Sequence, residues 1–160
     1  MMRMNVLDMM TKDPITVQAD FSLRKALSIM DQNSIKHVPV MSKQGHLIGV
    51  LSDRDCRHAL NSPFVMRERW QDEELAIRVQ VRSVMTPAPI IVEPNTPADK
   101  AVGLMLEHRI GCLPVMRAET LVGIITRSDI LVAFMNMHRH YERIAQDIPG
   151  IARLPRTNAE

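Results

Sequence analysis

Two stretches of this 160-residue chain match each other position by position at an offset of 75 residues. The matches are Met10-Thr11 with Met85-Thr86, Pro14-Ile15 with Pro89-Ile90, Ala26 with Ala101, Met30 with Met105, and Pro39-Val40-Met41 with Pro114-Val115-Met116. A one-residue deletion then changes the offset to 74, which aligns Gly49 with Gly123 and Asp55 with Asp129. Repeated sequence predicts repeated structure, and two copies predict a pseudo-symmetric pair of units, not a solenoid.

Each copy contains a predicted amphipathic helix. Its apolar residues recur at spacings of three and four, which places them on one helical face. They are Leu23, Ala26, Leu27 and Met30 in the first copy, and Ala98, Ala101, Val102 and Met105 in the second. Asp20 or Ser22 is predicted to start the first helix. In the second copy the hydroxyl of Thr96 is predicted to cap the helix, with Pro97 at its first position.

A strand, a hairpin turn and a nearly all-apolar return strand follow each helix. These strands are predicted at 36–41 and 47–51, and again at 111–116 and 121–125. A second helix then opens at Ser52 and at Thr126. Each copy therefore has the order strand, helix, strand, strand, helix, which places the chain in the mixed α+β class. The predicted division is a first motif over 5–60, a helical connector over 61–80, a second motif over 81–135, and a helical extension with a mobile tail over 136–160.

The composition excludes several classes of protein. Hydrophobic residues make up 46% of the chain, which is enough to build a core. Lys and Arg number 20 against 18 Asp and Glu, a balance too weak to indicate nucleic-acid binding. Two distant cysteines, Cys56 and Cys112, exclude a disulfide framework and a CxxC site. No apolar run reaches the roughly 18 residues of a membrane span, and the N-terminus lacks the apolar stretch of a signal peptide. The expectation is a cytoplasmic protein without membrane contact.

The sharpest local feature is Ser/Thr-x-x-Asp, where a buried strand leads into a helix. It occurs as Ser52 to Asp55 and as Thr126 to Asp129. A capping box accounts for it without any ligand. A binding site accounts for it equally, because a helix N-terminus attracts phosphate, a hydroxyl adds a donor, and a carboxylate one turn later accepts the hydroxyls of a ribose. The two interpretations are compatible and both stay open.

Taken in order and twice, these features resemble a pair of CBS domains, the family named after cystathionine β-synthase. The shared features are Met-Thr before the first strand, the Ala-bearing helix, the strand with Pro-Val, and Gly-apolar-apolar-Ser/Thr-x-x-Asp. The resemblance covers residues 5–135 and is closest to the small, stand-alone acetoin-utilisation-type members of bacteria.

The resemblance implies a fold, a ligand class and a mode of action. It implies two β-α-β-β-α motifs packed through their sheets into a Bateman module. Such modules bind adenosine-containing ligands: AMP, ADP, ATP or S-adenosylmethionine, and NAD or cyclic dinucleotides in some members. They commonly form homodimers and regulate a partner protein, unknown here, by conformational change. Catalytic activity, a catalytic cofactor and a metal site are not expected.

The resemblance also implies two clefts, each lined by both copies. The Ser52 cleft combines Ser52 and Asp55 with Thr96, Ala101, Ile110, Gly111 and Cys112. The Thr126 cleft combines Thr126 and Asp129 with Ser22, Ala26, Ile35, Lys36 and His37. Independently of the resemblance, Arg54 is the candidate basic residue near Ser52 and Arg127 the one near Thr126. In each cleft the Asp is expected to hold ribose hydroxyls, and the apolar residues and nearby backbone to hold adenine. Phe21 stands at the position that Thr96 has in the other copy. Phe cannot make the hydrogen bond that a Thr hydroxyl would make to the ligand, but its ring is available to face adenine.

The two clefts differ in predicted charge. Lys36 and His37 bring positive groups to the Thr126 cleft, whereas Gly111 and Cys112 bring none to the Ser52 cleft. The Thr126 cleft is therefore expected to prefer a phosphorylated adenosine. The alternative is that Lys36 and Arg54 are solvated surface charges.

Three other functions are weaker alternatives. An assembly protein with vestigial clefts would keep Asp55 and Asp129 as helix caps alone. An enzyme acting on the nucleotide would need a general base or metal cluster, and neither is evident. His138, His140 and Glu142 resemble a small metal site, but the two His residues lie two positions apart and so fall on different helix faces. The cysteines and most of the 13 methionines are expected to fill the core.

Overall fold

The computed structural model describes residues 4–60 and 69–147. It has seven strands and five α-helices in this part of the chain. The strands are β1 Thr11–Lys12, β2 Val17–Gln18, β3 His37–Met41, β4 Leu47–Ser52, β5 Thr86–Pro87, β6 Cys112–Arg117 and β7 Thr120–Thr126. The helices are α1 Leu23–Gln32, α2 Asp53–Leu60, α3 Arg69–Arg78, α4 Ala98–Glu107 and α5 Arg127–Asp147. Two 3₁₀ turns, Val6–Asp8 and Val81–Ser83, precede β1 and β5.

The strands form one sheet for each motif. The first sheet has the order β2-β3-β4-β5 and the second has the order β1-β7-β6. In the second motif a single parallel bridge between Val92 and Val115 stands where the first motif has β2. Each motif has its own core, and Val50, Cys112 and Ile124 form a third buried cluster in which β4 meets β6 and β7. The predicted packing of the two motifs through their sheets is thus confirmed.

The opening segments of the two motifs are exchanged between the two cores. β1 opens the first motif in sequence but pairs with β7 of the second, and β5 opens the second motif but pairs with β4 of the first. Val6 is fully buried in the second core, and Val81 is fully buried in the first. The chain crosses from one motif to the other after Asp13 and Ala88, which both have positive φ angles. The repeat boundaries at residues 5 and 81 are therefore not the boundaries of the packed units.

The glycine of each return strand makes room for this exchange. A Cβ on Gly123 would stand 2.7 Å from Sδ of Met10, and a Cβ on Gly49 would stand 2.6 Å from Sδ of Met85. Both distances are shorter than real carbon–sulfur contacts, so any side chain at these positions would displace the methionine. The Met and the Gly that recur in both repeats are therefore contact partners, each pair joining one repeat to the other.

The predicted cap of α4 differs from the structure. Pro97, not Thr96, is the N-cap of α4, and the Thr96 hydroxyl instead accepts the N–H of Glu93 at 3.0 Å in the preceding turn. The second helix of the second motif, α5, runs without a break into the predicted helical extension as far as Asp147. The connector is helical over Arg69–Arg78, where α3 packs against α1 and α2. The predicted mobile tail over 151–160 lies outside the described residues.

Candidate functional site

Both Ser/Thr-x-x-Asp sequences fold as closed capping boxes. The Ser52 hydroxyl donates to Oδ2 of Asp55 at 2.6 Å, and the Asp55 N–H donates back to Oγ of Ser52 at 3.1 Å. The backbone N–H of Ser52 also donates to Oδ2 of Asp55 at 3.2 Å. The hydroxyl proton of Ser52 is thus used by Asp55 in this structure. Oδ1 of Asp55 accepts no hydrogen bond from the described residues.

The second motif repeats this geometry. The Thr126 hydroxyl and backbone N–H both donate to Oδ2 of Asp129 at 2.7 Å, and the Asp129 N–H donates to Oγ1 of Thr126 at 3.3 Å. Two donors on one oxygen fix the carboxylate plane, which leaves Oδ1 available in a defined direction. Asp129 and Asp55 are both part-buried.

The first amide of each helix is tied to its own motif. Asp53 N–H donates to the Lys36 carbonyl at 3.0 Å, and Arg127 N–H donates to the Gly111 carbonyl at 3.1 Å. The third amide of each helix is used by the cap. Among the described residues, nothing accepts the second amide, that of Arg54 or Ser128. Each helix start thus offers one backbone N–H to an anion, fewer than the four that an uncapped helix leaves without an intrahelical partner.

His37 joins the two motifs beside these helix starts. Its ring lies against Gly111, where Nε2 is 2.8 Å and Cε1 3.1 Å from the place of a Cβ. His37 also pairs with Ser52 in the β3–β4 register. At the equivalent position of the second motif, Cys112 pairs with Thr126 and is buried between the sheets. The structure thus brings His37 and Gly111 together across the motif boundary.

The electrostatics place Asp55 and Arg127 across that boundary as well. Burial lowers the pKa of His37, while the charges of Asp53 and Asp55 oppose this and those of Arg127 and Lys36 add to it. Burial, with a smaller contribution from the charge of Asp55, raises the pKa of Cys112 to about 12. The charge of Asp55 in the first motif thus acts on the Cys112 thiol of the second, and the charge of Arg127 in the second acts on the His37 ring of the first. Both cross-motif pairs belong to the predicted clefts.

Among the other predicted cleft residues, the two alanines have no exposed side chain. Ala26 and Ala101 are fully buried within the first and second cores, so their side chains do not reach a cleft surface. Ile35 and Ile110 are half-buried against the same two cores. The alanine spacing marks core positions of the two helices, which explains why the repeat keeps so small a residue there.

The predicted residues at the helix starts make local contacts. Ser22 caps α1, with its Oγ accepting the Lys25 N–H at 3.2 Å. The Thr96 carbonyl accepts the Val6 N–H at 2.9 Å. Phe21 packs on the first core, and Nζ of Lys25 lies 3.4 Å from its ring centroid. One face of the Phe21 ring is therefore taken by a cation, which leaves at most one face for adenine.

A cavity that sequence reasoning did not predict lies in the second motif, beside the turn between β6 and β7. This cavity of about 380 Å³ is lined by Asn5, Leu7, Asp8, Glu93, Pro94, Asn95, Met116, Arg117 and Ala118. At the equivalent place in the first motif, Nζ of Lys43 forms a 3.0 Å ion pair with Asp20 and lowers the pKa of Asp20. The repeat partners of Lys43 and Asp20 are Ala118 and Asn95, which cannot form that pair. None of the Ser/Thr-x-x-Asp residues lines this cavity.

The weaker chemical candidates do not form a site. Nδ1 of His138 lies 3.9 Å from Oε2 of Glu142, one turn along α5. Residues 4–60 and 69–147 hold no cluster of three or more His, Cys, Asp or Glu placed to bind a metal. Burial raises the pKa of Cys56 to about 11. Within the same described ranges, no helix is long and apolar enough to cross a membrane.

Comparison with known proteins identifies the family. A model of the CBS domain matches twice, at residues 6–62 and 81–136. The chain belongs to the CBS domain family. The recognition of a tandem CBS pair from the sequence is thereby confirmed, and so is the mixed helix-and-sheet fold class.

Solved CBS pairs share the fold over most of this chain. An acetoin utilization protein (AcuB) from Vibrio cholerae is 31% identical with a TM-score of 0.71, covering 89% of this chain and 98% of that one. The CBS pair of protein MJ0100, solved with 5-methylthioadenosine and S-adenosyl-L-methionine, is 25% identical with a TM-score of 0.73, covering 85% and 99%. CBSX2 of Arabidopsis thaliana, solved with AMP, is 30% identical with a TM-score of 0.69, covering 84% and 99%.

Proposed function

We propose that this CBS pair is a regulatory sensor that binds an adenosine-containing ligand between its two motifs. The observation that carries the proposal is the pair of part-buried aspartates, Asp55 and Asp129, each held by two donors on Oδ2 with Oδ1 available. A carboxylate fixed in this way accepts a ribose hydroxyl without first losing side-chain freedom. The adenosyl compounds bound by the MJ0100 and CBSX2 pairs support this ligand class.

The proposed sites are the Ser52 and Thr126 clefts. The charge of Asp55 acting on Cys112, and that of Arg127 acting on His37, support the assignment of each cleft to both motifs. The apolar contribution would come from Ile35 and Ile110, which are half-buried. Ala26 and Ala101 would not contact the ligand; as core residues they would support the helices beneath the clefts.

The Thr126 cleft is proposed to prefer a phosphorylated ligand such as AMP, ADP or ATP. Lys36 and Arg127 carry permanent positive charges there, and the free N–H of Ser128 adds a donor at the start of α5. Across the Ser52 cleft, Gly111 and Cys112 carry no charge, and Arg54 is the basic residue at its helix. A less charged ligand, such as S-adenosylmethionine or its thioether relatives, fits that cleft better.

The proposed mechanism is a shift between two packings of the motifs. A ligand that contacts both motifs favours one packing by its differential affinity, at about 1.4 kcal/mol per tenfold difference. The contact of His37 with Gly111 lies at the boundary that such a shift would change. The module is proposed to act in the cytoplasm as a homodimer, to report to a regulated partner protein, and to have no catalytic role.

The test is isothermal calorimetry with AMP, ADP, ATP, S-adenosylmethionine, NAD and cyclic dinucleotides. Asp129→Ala and Asp55→Ala serve as matched variants, since both remove the same cap and differ only in the cleft they alter. For AMP we expect at least a tenfold loss of affinity in Asp129→Ala and in Lys36→Ala, and little change in Asp55→Ala. AMP binding to Lys36→Ala with wild-type affinity would refute the charge preference.

The competing functions predict different results. If no adenosyl compound binds while a partner protein co-purifies, the clefts are structural and the assembly function replaces the sensor. If pure protein converts a nucleotide to product, the sensor is an enzyme. Calorimetry is preferred to a melting shift because loss of the Asp129 cap also lowers stability, by about 1 kcal/mol.

A further inference from the structure

The cavity of about 380 Å³ in the second motif belongs to neither of the proposed clefts. It lies where three segments meet: the N-terminal segment that packs on the second core, the turn before α4, and the turn between β6 and β7. It shares no lining residue with the Ser52 cleft or the Thr126 cleft. A ligand bound in this cavity would therefore be additional to an adenosyl compound.

The two motifs build this region on the same backbone. The Leu7 N–H donates to the Pro94 carbonyl at 2.9 Å, and at the matched positions of the repeat the Arg82 N–H donates to the Ala19 carbonyl at 2.9 Å. Because the backbones agree, the side chains at matched positions of the two motifs can be compared directly.

The first motif places its own charges in this region. Nζ of Lys43, from the turn between β3 and β4, lies 3.0 Å from Oδ2 of Asp20, in the turn before α1. Lys43, and to a smaller degree Arg82, lower the pKa of Asp20. The region of the first motif thus accommodates a cationic group on an aliphatic stem, next to a carboxylate.

The second motif has lost these charges. Ala118, Leu7 and Asn95 stand at the positions of Lys43, Arg82 and Asp20. Both cations and their shared carboxylate are therefore replaced by uncharged residues, and all three replacements line the cavity.

Two carboxylates and one guanidinium line the cavity instead. Asp8, Glu93 and Arg117 stand at positions that are uncharged in the first motif. The Asn5 N–H donates to Oδ2 of Asp8 at 2.8 Å, which holds this carboxylate in place. Among residues 4–60 and 69–147, none of the three charged groups forms an ion pair. The cavity thus presents a fixed pattern of two negative charges and one positive charge.

We propose that this cavity binds a small molecule with two cationic groups and one carboxylate, which is the chemistry of a basic amino acid. Asp8 and Glu93 would pair with the two cationic groups and Arg117 with the carboxylate, so that each charge has a partner. The aliphatic chain of the ligand would lie on the apolar part of the lining, which is Leu7, Pro94 and Met116. The volume is at the lower end of the roughly 300–1,000 Å³ range of small-molecule pockets, which suits a ligand of this size.

The exposure of the three charges makes the complete pattern necessary. Asp8, Glu93 and Arg117 are exposed, and a single exposed ion pair contributes little to affinity. A diamine would leave Arg117 without a partner, and a neutral amino acid would leave one of the two carboxylates without one. Since Asp8 belongs to the N-terminal segment and the other two belong to the second motif, a bound ligand would also hold that segment on the second core.

The experiment is isothermal calorimetry of the full chain with L-lysine, L-ornithine and L-arginine. Two incomplete ligands are measured beside them: L-norleucine, which lacks the side-chain cation of lysine, and cadaverine, which lacks the carboxylate. We expect one site per chain for at least one basic amino acid, and affinities weaker by about tenfold or more for norleucine and cadaverine.

Two matched double variants locate the site. Ala118→Lys with Asn95→Asp gives the second motif the ion pair of the first and should weaken binding by about 100-fold or more, because the added lysine takes the place of the ligand's cationic group. Lys43→Ala with Asp20→Asn removes the ion pair of the first motif and should leave binding unchanged. AMP calorimetry on both variants shows that each is folded.

Three results would overturn the proposal. They are the absence of binding for all three basic amino acids at about 10 mM, binding that survives Ala118→Lys with Asn95→Asp, and equal affinity for cadaverine and lysine. AMP calorimetry also separates this proposal from the adenosyl sensor. A chain that binds AMP but no basic amino acid refutes the second site alone, and a chain that binds a basic amino acid but no adenosyl compound refutes the sensor alone.

Discussion

The imidazole of His37 occupies the space that a side chain on Gly111 would need, with Nε2 2.8 Å from the position of a Cβ. Gly111→Ala must therefore displace a ring that is packed between the two motifs. We expect the free energy of unfolding to fall by about 1–3 kcal/mol, measured by urea denaturation.

Gly103→Ala is the control for this substitution. Gly103 is exposed on α4, with no atom within 4 Å of a new Cβ, so Ala there is expected to be neutral or to stabilise by up to about 1 kcal/mol. The double variant His37→Ala with Gly111→Ala should recover part of the loss, because the obstructing ring is gone. An equal effect of Gly111→Ala with and without His37 would contradict the contact.

The same histidine makes stability depend on pH. Burial lowers the pKa of His37 in the folded protein below the value near 6.5 of an unfolded chain, so the unfolded chain binds more protons below that pH. The free energy of unfolding should therefore decrease as the pH falls from 7 to 5. This part of the decrease should be absent in His37→Gln and retained in His46→Gln, which removes an exposed imidazole. Identical pH profiles for the two variants would refute it.

The exchange of the N-terminal segments predicts a selective rescue. Gly123→Ala meets Sδ of Met10 at 2.7 Å and should lower the free energy of unfolding by about 1–3 kcal/mol. Adding Met10→Ala should restore part of this loss, because the sulfur moves out of the way. Adding Met85→Ala should not, because Met85 contacts Gly49 instead. Equal rescue by both methionine substitutions would argue against the exchanged arrangement.

Both cysteines should react slowly in the folded protein. Burial raises the pKa of Cys56 to about 11 and that of Cys112 to about 12, so at pH 8 roughly one thiol in a thousand or fewer is a thiolate. We expect labelling by a thiol reagent to follow global unfolding, with rates that rise steeply in urea. Rapid stoichiometric labelling of either thiol in native buffer would contradict this expectation.

The repeat predicted the two motifs, their helices and their long strands because apolar spacing is a local property of the chain. It could not predict which motif each preceding segment joins, since Val6 and Val81 are equivalent in sequence and suit either core. The two-residue strands β1 and β5 carry too little pattern to be recognised. Ala26 and Ala101 were expected in the clefts, but a small residue at a helical position fits a tight core equally well.

The site was predicted in part for the same reason. The capping box at Ser52 and at Thr126 follows from four consecutive residues. The contact of His37 with Gly111 depends on how the two sheets are placed relative to each other. This placement cannot be predicted from the sequence of either copy alone. The helical extension was predicted from residue 136, but its end at Asp147 was not. Met137 to Ile144 mixes apolar and charged residues, so the helical periodicity of this stretch is weak.

The exchange of segments makes the two halves of the gene product mutually dependent. A chain interrupted between α2 and α3 yields two fragments. The first contains Val6 but lacks the second core, in which Val6 is buried, and the second contains Val81 but lacks the first core, in which Val81 is buried. Each fragment holds the missing piece of the other. Expressed together, they should reassemble into a working pair; expressed alone, each should be degraded. A primordial single-repeat ancestor with this architecture would have been stable only as a domain-swapped pair, and tandem duplication would have made that partnership permanent.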